Sequence, residues 1–212
     1  MALSFTSLSP KRLGFTCVLI GSVLLIQGCS TLNEKECIRG DWTNIGLNDA
    51  LNGYTSARLA EHEEACIKYG IAAVESDYQQ GFEKGLERFC TTERGYYFAM
   101  QGGDYKATCE GDNDKLFLAG YTPGHARYRL ESRIDEIERR IQHAQREAMR
   151  PPRLIRNKDG EVIGRDDNDR QEWMQTLMWL RIDLMEARND LQQWRDNHQP
   201  LLRSLSGGQP SR

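Results

Sequence analysis

Sulfur carries the most informative chemistry in this sequence. Cysteines stand at positions 17, 29, 37, 66, 90 and 109. A thiol can be acylated, oxidised to a disulfide or bound to a metal, and its neighbours decide which. Cys29 closes the run Leu25-Ile26-Gln27-Gly28-Cys29: aliphatic residues, a tolerant position, a small residue, then the thiol. Upstream lie Lys11 and Arg12, then an uncharged apolar stretch over residues 13–26, the length of a secretory h-region and short for a bilayer span. This pattern resembles a lipobox. It predicts a signal peptide over 1–28, cleavage after Gly28 and diacylglyceryl transfer to Cys29. Ser30 follows where aspartate would favour retention in an inner membrane. The expected location is therefore an outer membrane, with the chain lipid-anchored and facing the periplasm.

Cys17 leaves with the signal and Cys29 is consumed by lipid. Cys37, Cys66, Cys90 and Cys109 remain. Export places them in an oxidising compartment, so two disulfides are expected. Four cysteines allow three pairings; Cys37 with Cys66 and Cys90 with Cys109 is preferred, because each closes a local loop. No Cys-x-x-Cys pair and no suitably spaced histidine points to zinc, so no metal and no cofactor is expected.

Other chemistry is thin. The sequence holds no nucleophile elbow, no His-Glu-x-x-His and no phosphate-binding glycine loop. His62, His125, His143 and His198 are scattered, and no catalytic residue is assigned. Two acidic turns, at 110–114 and 166–169, read as solvated turns; Asn113 or Asp114 is expected to cap the following helix. Trp42, Gly46, Asp49 and Gly53 form the densest recognition candidate, although Trp42 equally suits the anchor of a small disulfide core. Candidate binding residues are Trp42, Asp49, Tyr96 and Tyr105, with Tyr97, arranged around Gly81 and Gly85.

These residues need a scaffold. Of the 212 residues 39% are hydrophobic and 28% charged, ordinary for a soluble globular domain. Residues 29–124 carry sixteen acidic and nine basic side chains; residues 125–212 carry fifteen and seventeen. Neither half has a nucleic-acid footprint. The expected order is signal 1–28, tether 29–36, disulfide-bonded Gly/aromatic-rich domain 37–123, helical hairpin 124–200 and flexible tail 201–212. Within the middle domain, helices are expected from Ser56 to Gly70 and from Ser76 or Asp77 to Cys90. Gly81 and Gly85 each cost that second helix about 1 kcal/mol against alanine. Close packing of a neighbour would offset the loss; a ligand groove is the alternative. Residues 95–109 read as turns and short extended pieces.

The C-terminal half has the clearest pattern. Leu130, Ile134, Ile137, Ile141, Ala144 and Ala148 form one heptad stripe. Trp173, Leu177, Leu180, Leu184, Ala187, Leu191 and Trp194 form another. Pro151-Pro152 stops the first helix, and Asp169 with Glu172 suggests a capping box for the second. Between them, residues 154–163 suit either a small β-hairpin or an irregular loop. The fold class expected is mainly α: a small disulfide-bonded helical domain, then an antiparallel coiled-coil hairpin.

Asp41-Trp42, Gly46, Asp49, Gly53, Cys66, Gly70, Tyr78, Gly81, Gly85-Leu86, Cys90-Thr91, Gly95-Tyr96, Gly102, Tyr105, Cys109, Phe117, Tyr121 and Gly124 together resemble the domain-of-unknown-function 2799 family of proteobacterial lipoproteins. Ala50, Ala99 and Glu110 depart from its pattern. The resemblance implies export and a helical scaffold, and no activity. The function expected is that of a membrane-anchored envelope lipoprotein with a structural or protein-interaction role. Its partners would be the membrane, through the lipid, and an envelope protein, through the hairpin. The alternative is a periplasmic small-ligand or peptidoglycan-binding module.

Overall fold

The computed structural model describes residues 31–207. Gly28, Cys29, the expected signal and residues 208–212 lie outside the described residues. The elements run α1 (Glu34–Arg39), α2 (Trp42–Leu51), α3 (Arg58–Ile67), α4 (Glu75–Phe89), α5 (Thr92–Met100), α6 (Gly111–Ala148), β1 (Arg153–Arg156), β2 (Val162–Asp166), α7 (Asn168–Asn197) and α8 (Gln199–Gly207). The protein is mainly helical, with two disulfides in its N-terminal part. None of the described helices is long and apolar enough to cross a membrane.

Two helix pairs build the N-terminal body, and glycine decides how closely each pair packs. A Cβ on Gly46 would lie 2.1 Å from the Tyr78 carbonyl oxygen, and one on Gly81 would lie 1.8 Å from that of Thr43. Gly85 meets Ala50 and Leu47 in the same way. Here α2 and α4 touch backbone to backbone. The helix cost of Gly81 and Gly85 is thus offset by packing, and α2 fills the face where a ligand groove was the alternative. The Cys37–Cys66 disulfide, with Cα atoms 5.5 Å apart, ties α1 to α3 beside this pair. Trp42, Tyr78 and Phe82 pack with both cysteines in the core.

The α5–α6 pair repeats these contacts one for one. Gly95 meets the Phe117 carbonyl, Gly120 that of Thr92, and Gly124 that of Tyr96 together with Ala99. Each matches a contact of the first pair: Gly46 with Tyr78, Gly81 with Thr43, Gly85 with Leu47 and Ala50. Gly53 and Gly102 also correspond, both with positive φ and both against a ring, Phe89 and Tyr128 respectively. A disulfide clamps the second unit as well, Cys90–Cys109. Both preferred cysteine pairings are present.

Several expectations need correction. Residues 92–100 form a helix, not turns: Thr91 caps it by accepting from the Arg94 N–H, and Gly95 is there for close approach. The long helix starts at Gly111 rather than near Gly124. Asp112 and Asp114 sit in its first turn, where they complement the helix dipole, and neither Asn113 nor Asp114 caps it. Pro123 lies inside this helix. Of the expected tether, residues 31–36 are bound to the body: Leu32 is buried and Asn33 forms a capping box with Glu36. Of the expected tail, residues 201–207 lie in α8, whose Leu205 buries with Tyr96 and Trp194. The second hairpin helix begins one residue before Asp169, with Asp167 at the cap position.

α6 and α7 form the hairpin. Ile137, Ala144, Leu177, Leu180 and Ala187 are buried between them, flanked by Ile134, Ile141, Ala148, Trp173 and Leu184. Arg133 pairs with Asp190 at 3.5 Å and Glu138 with Arg188 at 2.8 Å, while the His143 ring meets Trp173. Rising numbers on α6 meet falling numbers on α7, so the arms are antiparallel. At the tip β1 and β2 pair antiparallel around a turn in which Asn157 Oδ1 accepts from the Asp159 and Glu161 N–H groups. Of the two readings for 154–163, the β-hairpin is the one formed.

Candidate functional site

Asp49 lies in the last turn of α2, and three side chains from two other helices converge on it. His62 of α3 places Nε2 at 2.8 Å from Asp49 Oδ2. The Tyr78 hydroxyl of α4 donates to the same oxygen at 2.9 Å. Arg58, which opens α3, brings Nε to 3.4 Å from Oδ1. On the far side of the imidazole, Nδ1 lies 2.8 Å from the Thr31 hydroxyl oxygen. Asp49 is 8% exposed, His62 2% and Tyr78 0%. A carboxylate only accepts, so His62 Nε2 carries the hydrogen it shares with Asp49. Thr31 has one hydroxyl proton and two acceptors in reach, His62 Nδ1 and the Glu61 carbonyl at 3.2 Å. A neutral imidazole accepts the Thr31 O–H at Nδ1; an imidazolium donates from Nδ1 while the Thr31 O–H donates to the Glu61 carbonyl. Burial first, then the Asp49 charge and hydrogen bond, hold the Tyr78 phenol well above its ordinary range.

This network floors an open cleft of about 260 Å³ whose walls include Thr31, Glu36, Arg39, Asn48, Asp49 and Arg58. The Arg58 guanidinium also lies 3.7 Å over the Tyr54 ring and pairs with Glu61. Its Nε is buried without a hydrogen-bond partner, so its contact with Asp49 is ionic rather than directional.

The second helix pair shows that the scaffold does not require this chemistry. At the positions matching Asp49 and Tyr78 it carries Phe98 and Phe117, with ring centroids 6.0 Å apart. His62 stands four residues before Cys66; Tyr105 stands four before Cys109 and stacks on Phe117 at 4.4 Å. At two of these three positions a hydrocarbon ring in the second copy stands where the first has an ionisable group, and at the third a phenol replaces the imidazole.

The duplicated pairs delimit a single sequence unit. Residues 41–126 match a family model described as Protein of unknown function (DUF2799). The chain resembles DUF2799 over both glycine-packed pairs, from the Asp41 cap to just past Gly124. The arm beyond residue 126 and the strands at its tip lie outside the matched segment. No curated protein and no solved structure matches the chain.

The four binding candidates do not meet. Trp42 is buried with the first disulfide. Asp49 alone lines the cleft. Tyr96 packs with Trp194 and Leu205, and its hydroxyl accepts from Arg127 at 2.7 Å. Tyr105 belongs to the second unit, donating to Asp114 and accepting from the Cys109 N–H. Burial, then the Asp114 bond, push its phenol up to about 12. His62, read as one of four scattered histidines, is a buried partner of Asp49 that sequence reasoning missed. Its neighbours Glu61, Glu63 and Glu64 gave it a solvated setting; only the spacing to Cys66 tied it to the core.

A second surface lies on the arm. Beside its buried stripe, α7 carries Met174, Met178, Ile182 and Met185, which with Met149 at the C-terminal cap of α6 line an open groove of about 720 Å³. Met149 is 81% exposed and Met185 72%. Leu154, Ile155, Val162 and Ile163 of the tip strands are exposed as well.

Proposed function

We propose that this is an acylated envelope protein, held through Cys29 on the periplasmic face of an outer membrane, that presents the α6–α7 arm to a protein partner. The observation that carries the reading is the apolar groove of Met149, Met174, Met178, Ile182 and Met185. Scattered apolar residues on a surface are ordinary, whereas a contiguous strip along one helix face marks a contact site. Methionines adapt to the shape laid against them, and an amphipathic helix is the partner element that fits a groove between two helices. In cells, a photoreactive residue at Met178 should yield a discrete protein adduct. Met174→Asp with Met185→Asp should abolish it while leaving the helical content intact. Acylated protein that never forms an adduct at Met178 or Ile163 would remove the docking reading.

A second reading, a small-ligand or peptidoglycan-binding module, is favoured by the ionisable Asp49 network in the first helix pair where the second has phenylalanines. Co-sedimentation with purified sacculi that disappears in Arg58→Gln and Asp49→Asn would support it. Retention unchanged in both variants would exclude that cleft.

A further inference from the structure

The corner around the first disulfide places apolar side chains in water beside the start of the described chain. Ile38 is 66% exposed and Ile67 74%, and Tyr69 is exposed as well. Each isoleucine directly follows a bridged cysteine. With the Cys37 and Cys66 Cα atoms 5.5 Å apart, Ile38 and Ile67 lie within about 13 Å of each other. Charges of both signs accompany them: Lys35, Arg39 and Glu34 on the exposed flank of α1, Glu63 and Glu64 one turn before Ile67, and Lys68 with its ammonium 5.0 Å over the Tyr69 ring. Isoleucine, tyrosine and long basic side chains are the set found where a protein meets headgroups: apolar parts enter the acyl boundary, while rings and ammonium groups stay at the wet level.

The first described residues before this corner, 31–33, are fixed to the body. The Thr31 hydroxyl lies within hydrogen-bond reach of His62 Nδ1 and the Glu61 carbonyl, Leu32 is buried, and Asn33 caps α1. Two peptide units separate Thr31 from Cys29, a reach of at most about 8 Å between Cα atoms. Resting on the acylation of Cys29 proposed above, we infer that the face formed by α1 and the C-terminal end of α3 lies against the lipid surface. Ile38 and Ile67 then enter the boundary, and the clasp of Thr31 by His62 sets the orientation of the body. The occupant of this face is bilayer lipid rather than a protein.

The test uses the full chain in its own membrane. A photoreactive residue is placed in turn at Ile38, Ile67 and Ile163, and adducts are read by mass spectrometry. Phospholipid adducts at 38 and 67 should exceed those at 163 at least fivefold. Intact mass of the same samples reads the acyl group independently. Acylated protein whose positions 38 and 67 label no lipid, or label protein instead, overturns the membrane face and leaves the anchor standing. Protein without an acyl group overturns the anchor and this face with it. A Thr31→Val variant, which still folds around the intact Cys37–Cys66 bridge, should lower the adduct yield at 67 severalfold by releasing the clasp. An unchanged yield would show that Thr31 does not orient the body.

Discussion

Asp49 is the residue on which the first helix pair differs most in chemistry from the second. Its carboxylate is shared by His62, Tyr78 and Arg58. Removing it leaves buried donors without an acceptor, which costs more than the bonds themselves were contributing. Asp49→Ala should therefore lower unfolding stability by about 2–3 kcal/mol, and Tyr78→Phe by about 1 kcal/mol, read from urea midpoints. The two changes should be less than additive, because both remove the same bond. Tyr105 gives a pH signature. Its phenol is held up to about 12 in the folded state, against an unfolded value near 10. That contribution is fully present below pH 10 and is lost as pH rises toward 12. Tyr105→Phe should flatten the loss of stability between pH 10 and 12, and absorbance titration of the native protein should lose the phenol that ionises near 12, leaving the later one of Tyr78.

Glycine contacts hold the helix pairs together, so their replacement should be far more damaging than helix propensity suggests. A Cβ at Gly81 or Gly120 would stand 1.8 Å from a carbonyl oxygen, which only separation of the helices can relieve. Gly81→Ala and Gly120→Ala should each cost about 3 kcal/mol or more, although alanine is the better helix former by about 1 kcal/mol. Calorimetric midpoints of the two variants would check this. Reduction of both disulfides should remove about 2–4 kcal/mol apiece. These elements were unevenly legible in the sequence. The arm was plain, because Ile134 to Ala148 and Trp173 to Trp194 keep strict heptad spacing with charged flanks. α5 was not, because Gly95, Gly102 and Gly103 imitate turn chemistry while Gly95 is there to admit another backbone. The duplication was hidden by its connectors. First helices are 49 residues apart, Gly46 to Gly95, and second helices 39, Gly81 to Gly120, so no single offset aligns both. His62 could not be read as buried without Asp49 beside it. Nothing in the local pattern around either residue brings them together.

The molecule as a whole joins a compact disulfide-clamped body to a narrow arm. Because the apolar groove lies on the arm and the Asp49 cleft on the body, the two proposed activities should separate by mutation. Met178→Asp should leave co-sedimentation with sacculi unchanged, and Arg58→Gln should leave the photocrosslinked partner unchanged. A variant that removed both would point to a single composite surface. The net acidity of residues 29–124 against the near balance of residues 125–212 makes the arm the better approach for an acidic partner.

One continuous helix, α6, belongs to both parts. Its 38 residues span about 57 Å, and its N-terminal portion is gripped by α5 through Gly120 and Gly124 on either side of Pro123. The grip sits where the proline leaves the Ala119 carbonyl without its usual helical donor, so the weakest point of the rod is splinted. The consequence is mechanical. A rocking of the body by about five degrees would sweep the β-ribbon through roughly 5 Å, and a pull at the ribbon would return to the Cys90–Cys109 bridge as torque.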